Sequence, residues 1–102
     1  MSNRRREPRT HDLKTWNPVF EAMERDDKPF DVRRADRDFR IGDTLLLREY
    51  NPYAQGDPSG GYSGRQTKRE ITYVLSGGKA GIESGYCVLG LRPTEEAATP
   101  NG

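Results

Sequence analysis

A chain of 102 residues in which 31% are hydrophobic and 32% are charged has room for one domain with a small core. Its formal net charge of +1 excludes a wholly basic protein that coats nucleic acid, and leaves anion binding to a local basic patch. A single cysteine, Cys87, excludes an internal disulfide and gives no start to a zinc cluster, so neither a metal site nor a cofactor is expected.

Residues 1–9 are polar and carry Arg4, Arg5, Arg6 and Arg9, with no apolar run behind them to make a signal peptide. They are expected to form a disordered basic tail, and residues 93–102, with two prolines and no periodicity, a second tail. The folded domain is then 10–92. No stretch approaches the ~20 apolar residues of a membrane span, which points to a cytoplasmic protein without membrane attachment.

Thr10–Trp16 alternates as a strand with His11, Leu13 and Thr15 on one face. The only histidine, His11, is expected to be a packed and hydrogen-bonded core residue. Asn17 and Pro18 start a helix, with Asn17 as its cap and Val19, Phe20 and Met23 as its apolar side, and Pro29 closes it or the turn after it. A strand over 30–34 and a polar turn over 35–43 follow. Leu45, Leu46 and Leu47 then predict a strand over 44–50 that is buried on both faces. A Gly- and Pro-rich loop spans 51–64, a long strand about 65–75, a Gly-rich connection 76–85 and a last strand 86–92. Five strands and one early helix make an α+β fold that is mainly β, a small closed or nearly closed β-barrel.

The segment 28–43, KPFDVRRADRDFRIGD, crowds nine charged residues around Phe30, Val32, Phe39 and Ile41. Strand alternation puts Phe30 and Val32 on one face, expected to build core, and Asp31 and Arg33 on the other. Arg33 can fork two hydrogen bonds to a phosphate or base edge, with Asp31 holding the guanidinium in place. Lys28 shares the parity of Phe30 and reaches the charged face only from a turn, which Pro29 permits. Arg37, in the following turn, is placed to aim at a ligand already held by Arg33, and Lys14 lies on the strand face opposite His11. The plainer reading is that Asp31 and Arg33 form a surface ion pair worth ~0 to 1 kcal/mol.

HDLK at 11–14, KPFDVRRADRDFRIGD at 28–43, LLLREY at 45–50, GYSGR at 61–65, ITYVL at 71–75 and GYCVLGL at 85–91 together resemble an uncharacterised bacterial and phage family of DUF3850 type in the ASCH superfamily. The superfamily's spaced lysine, acid and arginine are met by Lys28, Asp31 and Arg33. The resemblance implies a PUA-like barrel with a cleft beside the helix that binds RNA or a modified nucleotide. Lys14, Lys28, Asp31, Arg33 and Arg37 are thus the candidate ligand-binding residues.

Two other functions compete. Some small relatives resemble amidohydrolases that remove an acyl group from a modified cytidine, using a lysine, a threonine three residues on and a glutamate elsewhere. Lys28 matches that lysine, but Asp31 stands at the place of the threonine, so Lys28 and Asp31 are the candidate catalytic pair only if the carboxylate orients water. A phage-style module would instead bind a host protein through Tyr53 and Tyr62 of the 51–64 loop. GGKAG at 77–81 lacks the spacing of a phosphate-binding loop.

Overall fold

The computed structural model of the chain describes residues 6–54 and 56–94; of the tails expected over 1–9 and 93–102, residues 1–5 and 95–102 lie outside the described residues. In strand β1 (Thr10–Trp16), His11, Leu13 and Thr15 are buried and their neighbours exposed, the period of a strand with one face on a core. Helix α1 (Asn17–Glu24) follows without a break. Trp16, not Asn17, holds its N-cap position, because the extended backbone of β1 itself supplies the non-helical residue before the first turn. Asn17 is the first helical residue, and its Nδ2 donates to Glu49 Oε2 at 3.4 Å. The helix closes in a Schellman turn: the N–H of Asp26 donates to Met23 O and that of Asp27 to Ala22 O, with Asp26 at φ 62°. Buried Arg69 donates to Met23 O at 2.7 Å and sets a cation on the negative helix end.

The remaining strands are β2 (Phe30–Arg34), β3 (Thr44–Tyr50), β4 (Tyr62–Ser76) and β5 (Tyr86–Pro93). Strand β4 begins inside the expected 51–64 loop because Tyr62 pairs with Tyr50, and a 3-10 turn at Pro52–Ala54 orders another part of it. Leu45 and Leu47 are buried, whereas Leu46 is half-buried, so β3 is not fully covered on both faces.

The sheet order is β1-β3-β4-β5-β2, with β1 parallel to β3 and the other pairs antiparallel. The sheet curls into a half-barrel whose two free edges are β1 and β2. Leu13, Leu45, Leu47, Ile71, Leu89 and Leu91 fill its inner face, capped by Met23 of α1. No helix of the described residues is long and apolar enough to cross a membrane.

Strand β2 alternates as expected but with its faces exchanged. Phe30 and Val32 are 43% and 49% exposed, while Asp31 is 5% exposed on the inner side. The cause is its place at the sheet edge: Asp31 pairs with Leu89 and Arg33 with Cys87, both inward-facing, so the register carries the charged pair into the mouth of the half-barrel.

Candidate functional site

The open seam between β1 and β2 is bridged by side chains. Arg33 Nη2 donates to Lys14 O at 3.1 Å and to Thr15 Oγ1 at 3.3 Å, and Arg37 Nη1 donates to Asp12 O at 3.3 Å. The Lys14 and Asp12 carbonyls belong to the free edge of β1, beside which no strand lies among the described residues, and Thr15 adds its side-chain hydroxyl. Asp31 orients Arg33: its Oδ2 accepts from Arg33 Nε at 2.7 Å, and its Oδ1 from Lys28 Nζ at 3.3 Å. Lys28 precedes β2, and its Nζ also donates to Phe30 O at 2.8 Å, so it reaches Asp31 from the turn as its parity required.

A cleft of about 220 Å³ opens at this seam, lined by Leu13, Arg33, Arg34, Asp36, Arg37 and Phe39. Buried Leu13 and Phe39 line it together with three arginines and one aspartate. Among the described residues, Arg33 Nη1 and Arg37 Nε and Nη2 donate to no protein acceptor. The arrangement can therefore receive an anion by forked hydrogen bonds while a flat apolar group rests on Phe39.

The family model of a domain of unknown function, DUF3850, matches residues 10–91. The chain belongs to this family. No curated protein matches it.

Of the residues singled out in the sequence, this DUF3850 domain brings Lys28, Asp31 and Arg33 into one ion-paired group and sets Arg37 beside Arg33 on the cleft. Lys14 is not among the cleft-lining residues. It contributes its carbonyl to Arg33, while its Nζ lies 4.7 Å over the ring of Tyr50 on the outer face. Both oxygens of Asp31 accept from cations, which makes the carboxylate an anchor for Arg33.

Two polar centres of this DUF3850 domain escaped the sequence reading. Asp43, with no exposed surface, accepts from Arg6 Nη1 and Nη2, both at 3.0 Å, from the N–H of Arg9 and of Arg40, and from His11 Nε2 at 2.8 Å. Burial alone would raise its carboxyl, but these hydrogen bonds, led by those of Arg6 and His11, hold it far below the usual range. An ionised carboxylate only accepts, so His11 carries its proton on Nε2; its ring also packs 4.8 Å from that of Phe39, a core histidine as expected. Through Arg6 and Arg9, part of the segment expected to be a tail is fastened to the domain.

Glu49, also buried, accepts from Arg65 Nε and Nη2, Ser63 Oγ and Asn17 Nδ2. The Arg65 guanidinium, then the Ser63 hydroxyl, lower its carboxyl to about 2 against the cost of burial. Arg65 also pairs with Glu21 and lies 5.0 Å over the ring of Phe20, strapping α1 to β3 and β4. Burial pushes the Cys87 thiol up, with Asp31 and Asp36 adding to the effect. It lies at the wall of a neighbouring cleft of about 300 Å³ that also contains Arg37. No group of His, Cys, Asp and Glu side chains among the described residues is placed to hold a metal ion.

Proposed function

We propose that this DUF3850 domain is an RNA- or nucleotide-binding module with a PUA-like barrel of the ASCH superfamily, and that it grips its ligand at the seam between β1 and β2. The convergence of Arg33, Arg34 and Arg37 on one cleft that buried Leu13 and Phe39 also line carries this reading. Asp31 pre-orients Arg33, so less side-chain freedom is lost when an anion binds. The cleft is smaller than the ~300 to 1,000 Å³ of pockets that enclose a drug-sized molecule, which suits one phosphate-bearing unit entering from an open chain or nucleotide.

The ligand is found by screening nucleosides, nucleotides and short RNAs for thermal stabilisation, since a ligand that binds only the native state raises its apparent stability. Affinity is then measured by calorimetry for wild type, Arg33→Ala and Arg37→Ala. Each substitution is expected to cost about 1.5 to 3 kcal/mol, the range of a hydrogen bond to a charged group. Unchanged affinity in both variants, with far-UV spectra equal to wild type, removes the seam as the site.

A further inference from the structure

The outer face of β1, β3 and β4 carries a second constellation, turned away from the cleft. Register aligns Trp16, Tyr50 and Tyr62 across three adjacent strands. The next rung is Lys14, Arg48 and Gln66, and the one after it Asp12, Leu46 and Lys68. Aromatic rings and cations are interleaved in contact: Lys14 Nζ lies 4.7 Å over the Tyr50 ring, the Arg48 guanidinium 4.2 Å over that of Tyr62, and the two tyrosine rings are 5.3 Å apart. Trp16, the chain's only tryptophan, is left 49% exposed.

Packing does not account for this face. A tryptophan is the side chain with the most area to gain from burial, and here it stands half in water at the end of an aromatic row. The cation–π contacts are worth ~0.5 to 1 kcal/mol each at exposed sites, too little to explain the row by stability. Charge selects the partner: beside the aromatic row Lys14 and Arg48 face Asp12, 3.6 Å from Arg48, while Glu70, three rungs from the row, is paired with Arg92. A surface with excess positive charge and a line of rings complements a chain of phosphates and bases.

We propose that the outer face of β1, β3 and β4 binds single-stranded nucleic acid, with Trp16, Tyr50 and Tyr62 as the stacking row and Lys14 and Arg48 as the phosphate contacts. Neighbouring strands are ~4.8 Å apart, so three rings on three strands span about 10 Å, and sheet-face RNA readers stack two or three bases on such rows. Bases stack on aromatic rings whatever their sequence, and an arginine plane offers a further stacking surface, here that of Arg48 over Tyr62. The surface is independent of the seam cleft, since Lys14 and Arg48 do not line it.

The sole tryptophan supplies the readout. Short oligouridylate and oligothymidylate are titrated into the full chain, with polyglutamate as a polyanion that has no bases. Quenching of Trp16 emission by the oligonucleotides, but not by polyglutamate, is expected. Lys14→Gln with Arg48→Gln is expected to weaken binding at least about fivefold. Labelled oligouridylate and anisotropy extend the test to Trp16→Leu, which keeps an apolar side chain and should also lose at least about fivefold.

Absence of quenching in wild type overturns the proposal, as does binding by Trp16→Leu at wild-type strength. Equal quenching by polyglutamate assigns the face to acidic partners and likewise overturns it. Loss of quenching in Arg33→Ala alone transfers the site to the cleft.

Discussion

Replacing Asp43 with asparagine is the sharpest test of how this domain holds together. The carboxylate gathers five donors, two on Oδ1 (Arg6 Nη1 and Arg9 N–H) and three on Oδ2 (Arg6 Nη2, His11 Nε2 and Arg40 N–H). An amide turns an NH₂ toward one set or the other, so whichever way it flips, at least two donors face another donor. Each buried group left unsatisfied costs about 1 to 3 kcal/mol, and breaking a buried ion pair costs about 3 to 5 kcal/mol. Asp43→Asn should therefore destabilise by about 3 to 5 kcal/mol, a large part of the ~5 to 15 kcal/mol that a domain possesses. In urea, with m of ~1 to 3 kcal/mol/M, the midpoint falls by about 1 M or more at constant m, followed by far-UV dichroism and Trp16 emission. A loss below ~1 kcal/mol refutes the assignment of Asp43 as the centre that fastens the start of β1 to β3.

Glu49 gives a signed pH dependence. Its carboxyl is lowered from 4.5 to about 2 in the folded domain, so the unfolded chain takes up the proton first as pH falls, and the stability it contributes is whole above about 4.5 and lost toward 2. Glu49→Gln should flatten the urea midpoint against pH in that window, and a slope equal to wild type contradicts the pairing with Arg65. At Gly77, a Cβ would meet Glu83 O at 2.1 Å and Tyr86 O at 2.5 Å, so Gly77→Ala should cost about 1 to 3 kcal/mol. Gly56→Ala, with no atom within 4 Å of the added methyl, should stay within about 0.5 kcal/mol on the same denaturation curve.

The strands were legible because their alternation is local: His11, Leu13 and Thr15 announce the buried face of β1, and the breaks at Pro29 and in the Gly-rich connection fall between elements. The charged segment 28–43 was legible as a site candidate, but not its orientation. Hydrophobicity puts Phe30 and Val32 inside, whereas pairing with β5 fixes the register and turns Asp31 and Arg33 inward. The structural roles of Asp43 and Glu49 were not legible, since Arg6 and His11 lie 37 and 32 positions from Asp43 and become its partners only when the sheet is assembled. Tyr50 and Tyr62 were not legible as neighbours: Tyr62 fell in the expected 51–64 loop, and it meets Tyr50 only because β4 starts early enough to pair them.

The strand order also fixes when the cleft comes into being. β3, β4 and β5 join neighbours in sequence and close short loops, so they are the natural nucleus of the sheet. Among the described residues β2 pairs with β5 alone, where Asp31 meets Leu89 and Arg33 meets Cys87. On the ribosome, which releases the N-terminus first, the charged strand is made early and waits unpaired until the last strand emerges. No copy that stops short of β5 carries an assembled cleft, and the arginines acquire their aim only when that strand has emerged.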